Sequence, residues 1–328
     1  MSFLDLSIVI VSWNTQDVLR DCLRSTFANL GALRAEVIVV DNASSDGSAD
    51  MVAREFPRAV LVRNPTNAGF AAANNVGFRI ARGRHVLLLN SDTVVLGDVI
   101  TRSVRWLDAH PDVGVMGCRV LNPDRTMQPT CFGYPHFVDL LWMTAGLHEL
   151  PWPRFLGRYQ LRGWRRDTER DVEVVTGCYM LVRRVAMDQV GELDEGFFFC
   201  GEETDWCERF KRAGWRIVFT PVGEIVHIGN ASGRKLDSRR DVLLTAGLVR
   251  LHRKHGGVLG LVSVGALLWF FNASRWLGWS LIAAFGRGRD ARRRRDHFRG
   301  VLRGFGEVWQ RATSASPNAR LLAPSVQR

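Results

Sequence analysis

Four short apolar runs, separated by helix-patterned segments and each ending on polar side chains, set the strongest limit on how this chain folds. They are residues 6–12 (LSIVIVS), 36–40 (EVIVV), 59–62 (AVLV) and 85–89 (HVLLL). The stretches between them read as helices. Residues 16–30 place Val18, Leu19, Cys22, Leu23 and Thr26 at helical spacing; further helices are expected over 48–56 and from Asn67-Ala68-Gly69 to residue 82. Such alternation argues for a parallel sheet with helices on both faces, and strands buried on both faces are apolar throughout. Open sheets of this type bind ligands just beyond the carboxyl ends of their strands. Here those ends carry Ser12-Trp13-Asn14, Asp41-Asn42, Arg63-Asn64 and Asn90-Ser91-Asp92, so four polar clusters converge on one edge.

The rest of the chain is less regular. Residues 119–170, with many Pro, Trp and Arg, are expected to form an excursion over the site. Residues 173–182 (EVVTGCYMLV) read as a strand, 202–211 as a helix, and 215–219 (WRIVF) as a strand, with His227 following Ile225-Val226. Beyond residue 234 the composition changes. Residues 238–255 read as a basic helix, and 256–271 and 276–286 carry no charge. Residues 287–311 then hold nine arginines against three acids, over half of the chain's net charge of +11. The expected parts are therefore 1–234, divided into a nucleotide-binding 1–118 and an acceptor-side 119–234, a basic helical region 235–311, and an unstructured tail 312–328.

Charge and composition exclude several classes. At 46% hydrophobic and 23% charged, the chain is not a disordered protein. The basic excess needs an anionic partner, and no nucleic-acid-binding module accompanies it. A helix over 256–271 would reach ~24 Å, short of the ~30 Å hydrocarbon core of a bilayer. Trp269, Trp276 and Trp279 suit lipid headgroups, and the arginines suit anionic lipid. We expect helices lying in the interface or dipping in as a hairpin; the alternative is a packed helical pair with a solvated arginine face. Six cysteines without a CxxC pair exclude a zinc ribbon and fit a reducing cytosol. The sequence opens directly on a strand, without a basic n-region or cleavage site, so no signal peptide is expected. In such a compartment the Asn-Ala-Ser sequons at Asn42, Asn230 and Asn272 carry no glycosylation meaning.

Five positions carry candidate chemistry. Asp92, at the end of an apolar strand, can hold Mg2+ or Mn2+ through oxygen, or cap the turn that follows. Asp41 can accept from a nucleobase N–H or from ribose, or close an Asx-turn with Ser44. The Asn67-Ala68-Gly69 helix start can offer backbone N–H groups to a phosphate, or serve helix–strand packing. In Glu202-Glu203-Thr204-Asp205 adjacent carboxylates repel, which raises one pKa and suits a general base, although acids also favour a first helical turn. His227 is a core histidine on its own, and a ligand once a metal is in question.

Taken in order, residues 6–14 (LSIVIVSWN), 41–48 (DNASSDGS), 64–75 (NPTNAGFAAANN), 89–92 (LNSD), 176–180 (TGCYM), 197–209 (FFFCGEETDWCER) and 227–232 resemble the family 2 glycosyltransferases, with bacterial rhamnosyltransferase-like enzymes as the nearest branch. The resemblance spans residues 5–255. It implies an α/β GT-A fold, a Rossmann-like, mostly parallel sheet flanked by helices, here followed by a C-terminal helical membrane-associating region. It also implies an inverting, metal-dependent transfer. Asp41 would bind the nucleobase or ribose, Asp92 the Mg2+ or Mn2+ on the diphosphate, and His227 would complete the metal shell. Ser12, Asn14, Asn67, Gly69, Asn90 and Ser91 are further donor-binding candidates, and Arg209 supports the acidic motif or approaches the phosphates. Glu203 would be the catalytic base, with Asp205 as the alternative. Two positions depart from the family pattern: Asn90 stands for the first Asp of the metal motif, and Glu203 for the Asp of the base.

On the same resemblance the donor is a nucleotide-sugar such as dTDP-L-rhamnose. The acceptor is a polyprenyl-diphosphate-linked sugar or growing glycan at the cytoplasmic face of the plasma membrane. Oligomeric state stays open. Two rival readings remain: a nucleotidyltransferase that makes the nucleotide-sugar, and a non-catalytic membrane-bound scaffold.

Overall fold

The computed structural model describes residues 4–150, 153–229, 237–285 and 289–314, and the backbone of 325–327. The expected alternation is present as β1 (Leu4–Ser12), α1 (Gln16–Ala28), β2 (Ala35–Asp41), α2 (Ser48–Glu55), β3 (Val60–Arg63), α3 (Phe70–Ile80) and β4 (Gly83–Leu89). These strands lie parallel in the order β3-β2-β1-β4. Ser12 pairs with Asp41, and Asp41 with Arg63, so the strand ends are level and their polar residues share one edge.

The second half adds β5 (Thr93–Val95), α4 (Val99–Ala109), β6 (Val113–Leu121), β7 (Cys131–Phe132), α5 (Phe137–Thr144), β8 (Arg170–Asp171), β9 (Val174–Val175), β10 (Tyr179–Arg183), α6 (Arg184–Val190), α7 (Glu202–Arg212) and β11 (Arg216–His227). The sheet continues past β4 as β10-β6-β11-β5, with β10 antiparallel to both neighbours, so it is mixed rather than wholly parallel. Residues 173–182 do not form one strand. They break after Val175, because the Gly177 N–H turns away to bond Glu203, and pairing resumes at Tyr179. The strand expected over 215–219 runs on to His227, which pairs with Thr93 of β5.

Alternate side chains along the strands feed two cores. Ile8, Ile10, Val37, Val39 and Leu87 pack with Leu19 and Leu23 of α1, Val52 of α2 and Val104 of α4. Val9, Ile38, Val40 and Leu88 pack with Val76 of α3, Met187 of α6 and Trp206 and Phe210 of α7. Both faces of the sheet are thus buried, as the unbroken apolar runs require.

A third cluster belongs to the C-terminal helices α8 (Ser238–Phe285), α9 (Arg289–Arg303) and α10 (Phe305–Thr313). There Val242, Val249, Val264 and Leu268 meet Val301, Val308 and Leu140 of α5. α8 is broken at Gly257 (φ 63°, ψ −151°), a backbone conformation that favours glycine. The polar stretch between the two uncharged segments does not interrupt it. Asn272 Nδ2 donates to the Leu268 carbonyl within the helix, and Arg275 donates to the Thr144 carbonyl of α5. β12 (Ser325–Gln327) pairs antiparallel with β3, inside the stretch expected as a tail. The Asn230 sequon, the boundary at 234, Arg287 and most of the tail lie outside the described residues.

Candidate active site

The strand-end edge is organised by short polar side chains. Ser12 Oγ lies 2.9 Å from Thr15 Oγ1, which donates to Ser91 Oγ at 3.1 Å, tying the ends of β1 and β4 together. Asn14, at φ 52°, accepts the Ser45 N–H on Oδ1, and its own N–H donates to Ser44 Oγ. Asp41 Oδ2 accepts the Ser44 N–H at 3.1 Å, the Asx-turn alternative. Its Oδ1, however, is buried without a partner, which leaves one acceptor for a ligand donor.

The Asn67–Gly69 corner is consumed internally. Asn67 Oδ1 accepts from the Gly69 N–H and from Asn42 Nδ2, and the Phe70 N–H donates to the Phe198 carbonyl at 3.1 Å. Gly69 sits at φ 86°, where a Cβ would fall 2.6 Å from the Phe198 oxygen. Its glycine therefore serves the close approach of the segment ahead of α7. The N–H groups of Ala68, Gly69 and Phe70 are thus already engaged within the protein. Asn42 was not singled out as a site residue; it joins β2, β3 and α3 by accepting from Asn64 Nδ2 and the Ala68 N–H.

Asp92 and His227 come together. They follow β4 and end β11, elements brought alongside by the β5–β11 pairing, and Asp92 Oδ1 stands 3.1 Å from His227 Nε2. Gln128 fixes the imidazole. Its Nε2 donates to Asn122 Oδ1 at 2.9 Å, so its Oε1 is the atom 2.6 Å from His227 Nδ1, and an oxygen there can only accept. In the neutral imidazole this contact puts the proton on Nδ1 and turns the Nε2 lone pair toward Asn90 Nδ2, 3.2 Å away, and Asp92. A carboxylate oxygen and an imidazole lone pair at this separation are complementary to a divalent cation. No cluster of three or more His, Cys, Asp or Glu able to hold a metal occurs among the described residues, so further ligands of such a cation would be amide or backbone carbonyl oxygens, diphosphate oxygens or water.

Glu203 reaches the same edge. Its Oε1 accepts the Gly177 N–H at 3.1 Å, and the next residue, Cys178, gives its carbonyl to the Asn90 N–H at 3.2 Å. Two adjacent residues therefore bridge the acid of α7 to the Asn90-Ser91-Asp92 turn. The Cys178 thiol reports the same closeness. Burial pushes it up to about 12, and the charges of both Glu203 and Asp92 add to the rise. Burial also raises the Glu203 carboxyl, against the Gly177 hydrogen bond. Glu202 is buried, has an unpartnered Oε2, and is raised well above the usual carboxylate range by burial and then by the charge of Glu203.

Asp205 and Arg209 do something else. Asp205 is fully buried and meets His255 Nε2 at 2.8 Å, Lys254 Nζ at 2.9 Å and Arg209 Nε at 3.0 Å. Burial works to raise its carboxyl, but these three partners outweigh it and hold it at about 2. An acid so firmly ionised is a poor proton acceptor, which removes the reason for naming Asp205 as alternative base. The Arg209 guanidinium is spent on Asp205 and on the carbonyls of Val190 and Glu192, so it does not approach phosphates. Beside this cluster a cavity of about 390 Å3 is lined by Tyr134, His136, Glu173, Lys211, His252 and His255, among others.

A match to the glycosyl transferase family 2 covers residues 7–191 of the chain, more than half its length. The chain belongs to this family. Among its relatives, the N-acetylglucosaminyl-diphospho-decaprenol L-rhamnosyltransferase of Mycobacterium tuberculosis is 29% identical over 214 residues, covering 58% of this chain and 66% of that protein. The O-antigen biosynthesis protein RfbC of Myxococcus xanthus is 26% identical over 70% of this chain but only 18% of its own length. The chain thus spans less than two thirds of these relatives. The mannosyltransferase PcManGT from Pyrobaculum calidifontis, solved with GDP-Man and Mn2+, superposes with a TM-score of 0.55 at 16% identity, over 96% of this chain and 89% of that one. GalNAc-T7, solved with UDP, GalNAc and Mn2+, also gives 0.55 at 17% identity, over 97% of this chain and 59% of that one. At these identities the likeness speaks for the GT-A fold.

Proposed function

We propose that this family 2 chain is an inverting glycosyltransferase of cell-envelope glycan assembly, with Glu203 as its base and Asp92 and His227 as its metal ligands. The reading rests on one observation above all: the Gly177–Cys178 bridge that ties Glu203 to the turn bearing Asp92, which itself meets His227. Mg2+ or Mn2+ at Asp92 and His227 would supply neutralising charge to the diphosphate. Asp41, with its free buried Oδ1, holds the nucleoside; Ser12, Asn14, Asn90 and Ser91 shape the donor side of the edge. Glu203, its pKa raised by burial, takes the proton of an acceptor hydroxyl. The hydroxyl oxygen bonds to the anomeric carbon as the bond to the diphosphate breaks on the opposite face, and the nucleoside diphosphate leaves. Residues 1–118 serve the donor, 119–234 the acceptor, and 235–311 a membrane surface.

The finer assignments draw on the relatives. The named activity of the mycobacterial protein supports dTDP-L-rhamnose as donor and a polyprenyl-diphosphate-linked sugar as acceptor, taken at the cytoplasmic face of the membrane. The cavity beside Tyr134 and His252 offers room on the acceptor side. The test is release of nucleoside diphosphate with and without acceptor. We expect Glu203→Gln to retain Mn2+-dependent donor binding while transfer falls by about 10³-fold or more. Undiminished transfer would remove Glu203 as the base, and absence of any nucleotide-sugar binding would favour a scaffold.

A further inference from the structure

The apolar surface of this protein is concentrated. Of its eighteen exposed large hydrophobic side chains among the described residues, nine lie on α8 beyond Gly257 and five between residues 137 and 155, leaving four elsewhere. On α8 they form a stripe at helical spacing that includes Val258, Leu259, Val262, Phe270, Leu277 and Phe285, and residues 258–285 extend about 40 Å. The opposite face of the same helix, with Leu261, Val264 and Leu268, is buried against α9, α10 and Leu140 of α5. The second group comprises Phe137, Val138 and Leu141 of α5, followed by Leu150 and Phe155. It lies beside the stripe, because Leu140 joins the α8 core and Arg275 of α8 donates to the Thr144 carbonyl that ends α5.

We propose that Phe137, Val138, Leu141, Leu150 and Phe155 and α8 beyond Gly257 form one composite surface that lies on an anionic bilayer, with these five side chains as a second lipid-contacting element. Charge selects this occupant. α9 packs along α8 and carries a row of arginines exposed at positions 289, 292, 293, 294, 299 and 303, of which Arg294 also stacks over Trp279 at 5.0 Å and pairs with Asp290. An apolar stripe on a helix whose other face is held by an arginine-rich helix offers hydrocarbon contact to acyl chains and brings dense positive charge within reach of anionic headgroups. Because α9 clasps the buried side of α8, a helix laid across the hydrocarbon would carry that row in with it; one lying in the interface keeps the arginines at headgroup level. The cavity lined by Tyr134, Phe137 and His252 then stands at the edge of the lipid face.

The inference rests on the membrane-docking part of the function proposed above, and its test separates the two. Full-length protein is floated with vesicles of phosphatidylcholine alone and of phosphatidylcholine with phosphatidylglycerol. The wild type is compared with a Phe137→Ser, Val138→Ser, Leu141→Ser variant and with a Leu150→Ser, Phe155→Ser variant. All five side chains are solvent-exposed, and circular dichroism melting checks that folding is retained. We expect capture by anionic vesicles and a roughly 10- to 100-fold weaker partition for the triple variant, with nucleotide-sugar binding unchanged. Equal capture of wild type and both variants overturns the role of these five side chains. Capture of neither overturns docking itself and leaves sugar transfer untouched. Self-association of the wild type that the triple variant abolishes, without lipid capture, assigns the face to a second copy and also overturns the proposal.

Discussion

Replacing Asp205 with Asn separates an ion hub from a catalytic base. The carboxylate is fully buried among Arg209, Lys254 and His255, and its pKa is held at about 2 against an ordinary 3.8. At about 1.4 kcal/mol per unit, that depression corresponds to about 2–3 kcal/mol of stability. The folded value lies below the unfolded one. The contribution is therefore present above pH ~4 and is lost as the pH falls toward the folded pKa. Removing the charge also leaves Arg209 and Lys254 without their buried counter-charge and His255 facing a neutral amide, which brings the expected loss at pH 7 to about 3–5 kcal/mol. Urea unfolding followed by circular dichroism reads this directly. We expect Asp205→Asn to unfold at markedly lower urea at pH 7, with the gap to wild type narrowing below pH ~4. Transfer by the folded variant should stay within about tenfold of wild type, because Glu203 is untouched. An unchanged midpoint at pH 7 refutes the hub; a fully folded variant as inactive as Glu203→Gln returns Asp205 to the role of base.

Three further outcomes follow from the same geometry. Gln128→Ala frees His227 Nδ1 and should weaken Mn2+-dependent donor binding by about 10- to 100-fold in calorimetry, leaving metal-free binding unchanged. Gly69→Ala adds a Cβ 2.6 Å from the Phe198 oxygen at φ 86° and should lower stability by about 1–3 kcal/mol, read as a drop in melting temperature. Glu202→Gln should gain stability relative to wild type as pH rises. The native carboxyl binds its proton to higher pH than the unfolded one, so wild-type stability falls above the ordinary glutamate pKa and the glutamine variant lacks that fall; parallel stability–pH curves would contradict it.

The first four strands were legible because each is an unbroken apolar run closed by a polar turn, and their level ends follow from parallel pairing. The meeting of Asp92 with His227 was foreseen only through the family likeness. Its physical cause, the long β11 pairing with the three-residue β5, leaves little local trace in sequence. α4 carried the ordinary signal, with Val99, Ile100, Val104 and Leu107 buried at helical spacing, but lay outside any motif. Gln128 was not legible at all, since it comes from an irregular segment and acts through a contact 99 residues away. Asp205 misled for a physical reason. An acidic residue in a helix's first turn looks alike whether it faces a ligand or Arg209, Lys254 and His255, and the last two of these come from α8.

That last point changes how the C-terminal helices relate to the chemistry. Composition marks 235–311 as an appendage, yet the half of α8 before Gly257 supports the acid-bearing helix directly. Gly247 fits against the Cys200 carbonyl, where a Cβ would stand 2.1 Å away. Arg250 stacks over Phe197 and donates to Asp194, and Lys254 and His255 grip Asp205. The segment so held, residues 194–201, is the one whose Phe198 carbonyl closes on Gly69 and Phe70 and whose end launches Glu202 and Glu203. One helix therefore braces the proposed base with its first half and presents the apolar stripe with its second. The Gly257 break lets the two halves point differently while remaining one covalent rod on either side. A surface that holds the second half in place would also constrain the first, so the proposed base and the proposed lipid-facing stripe depend on the same element.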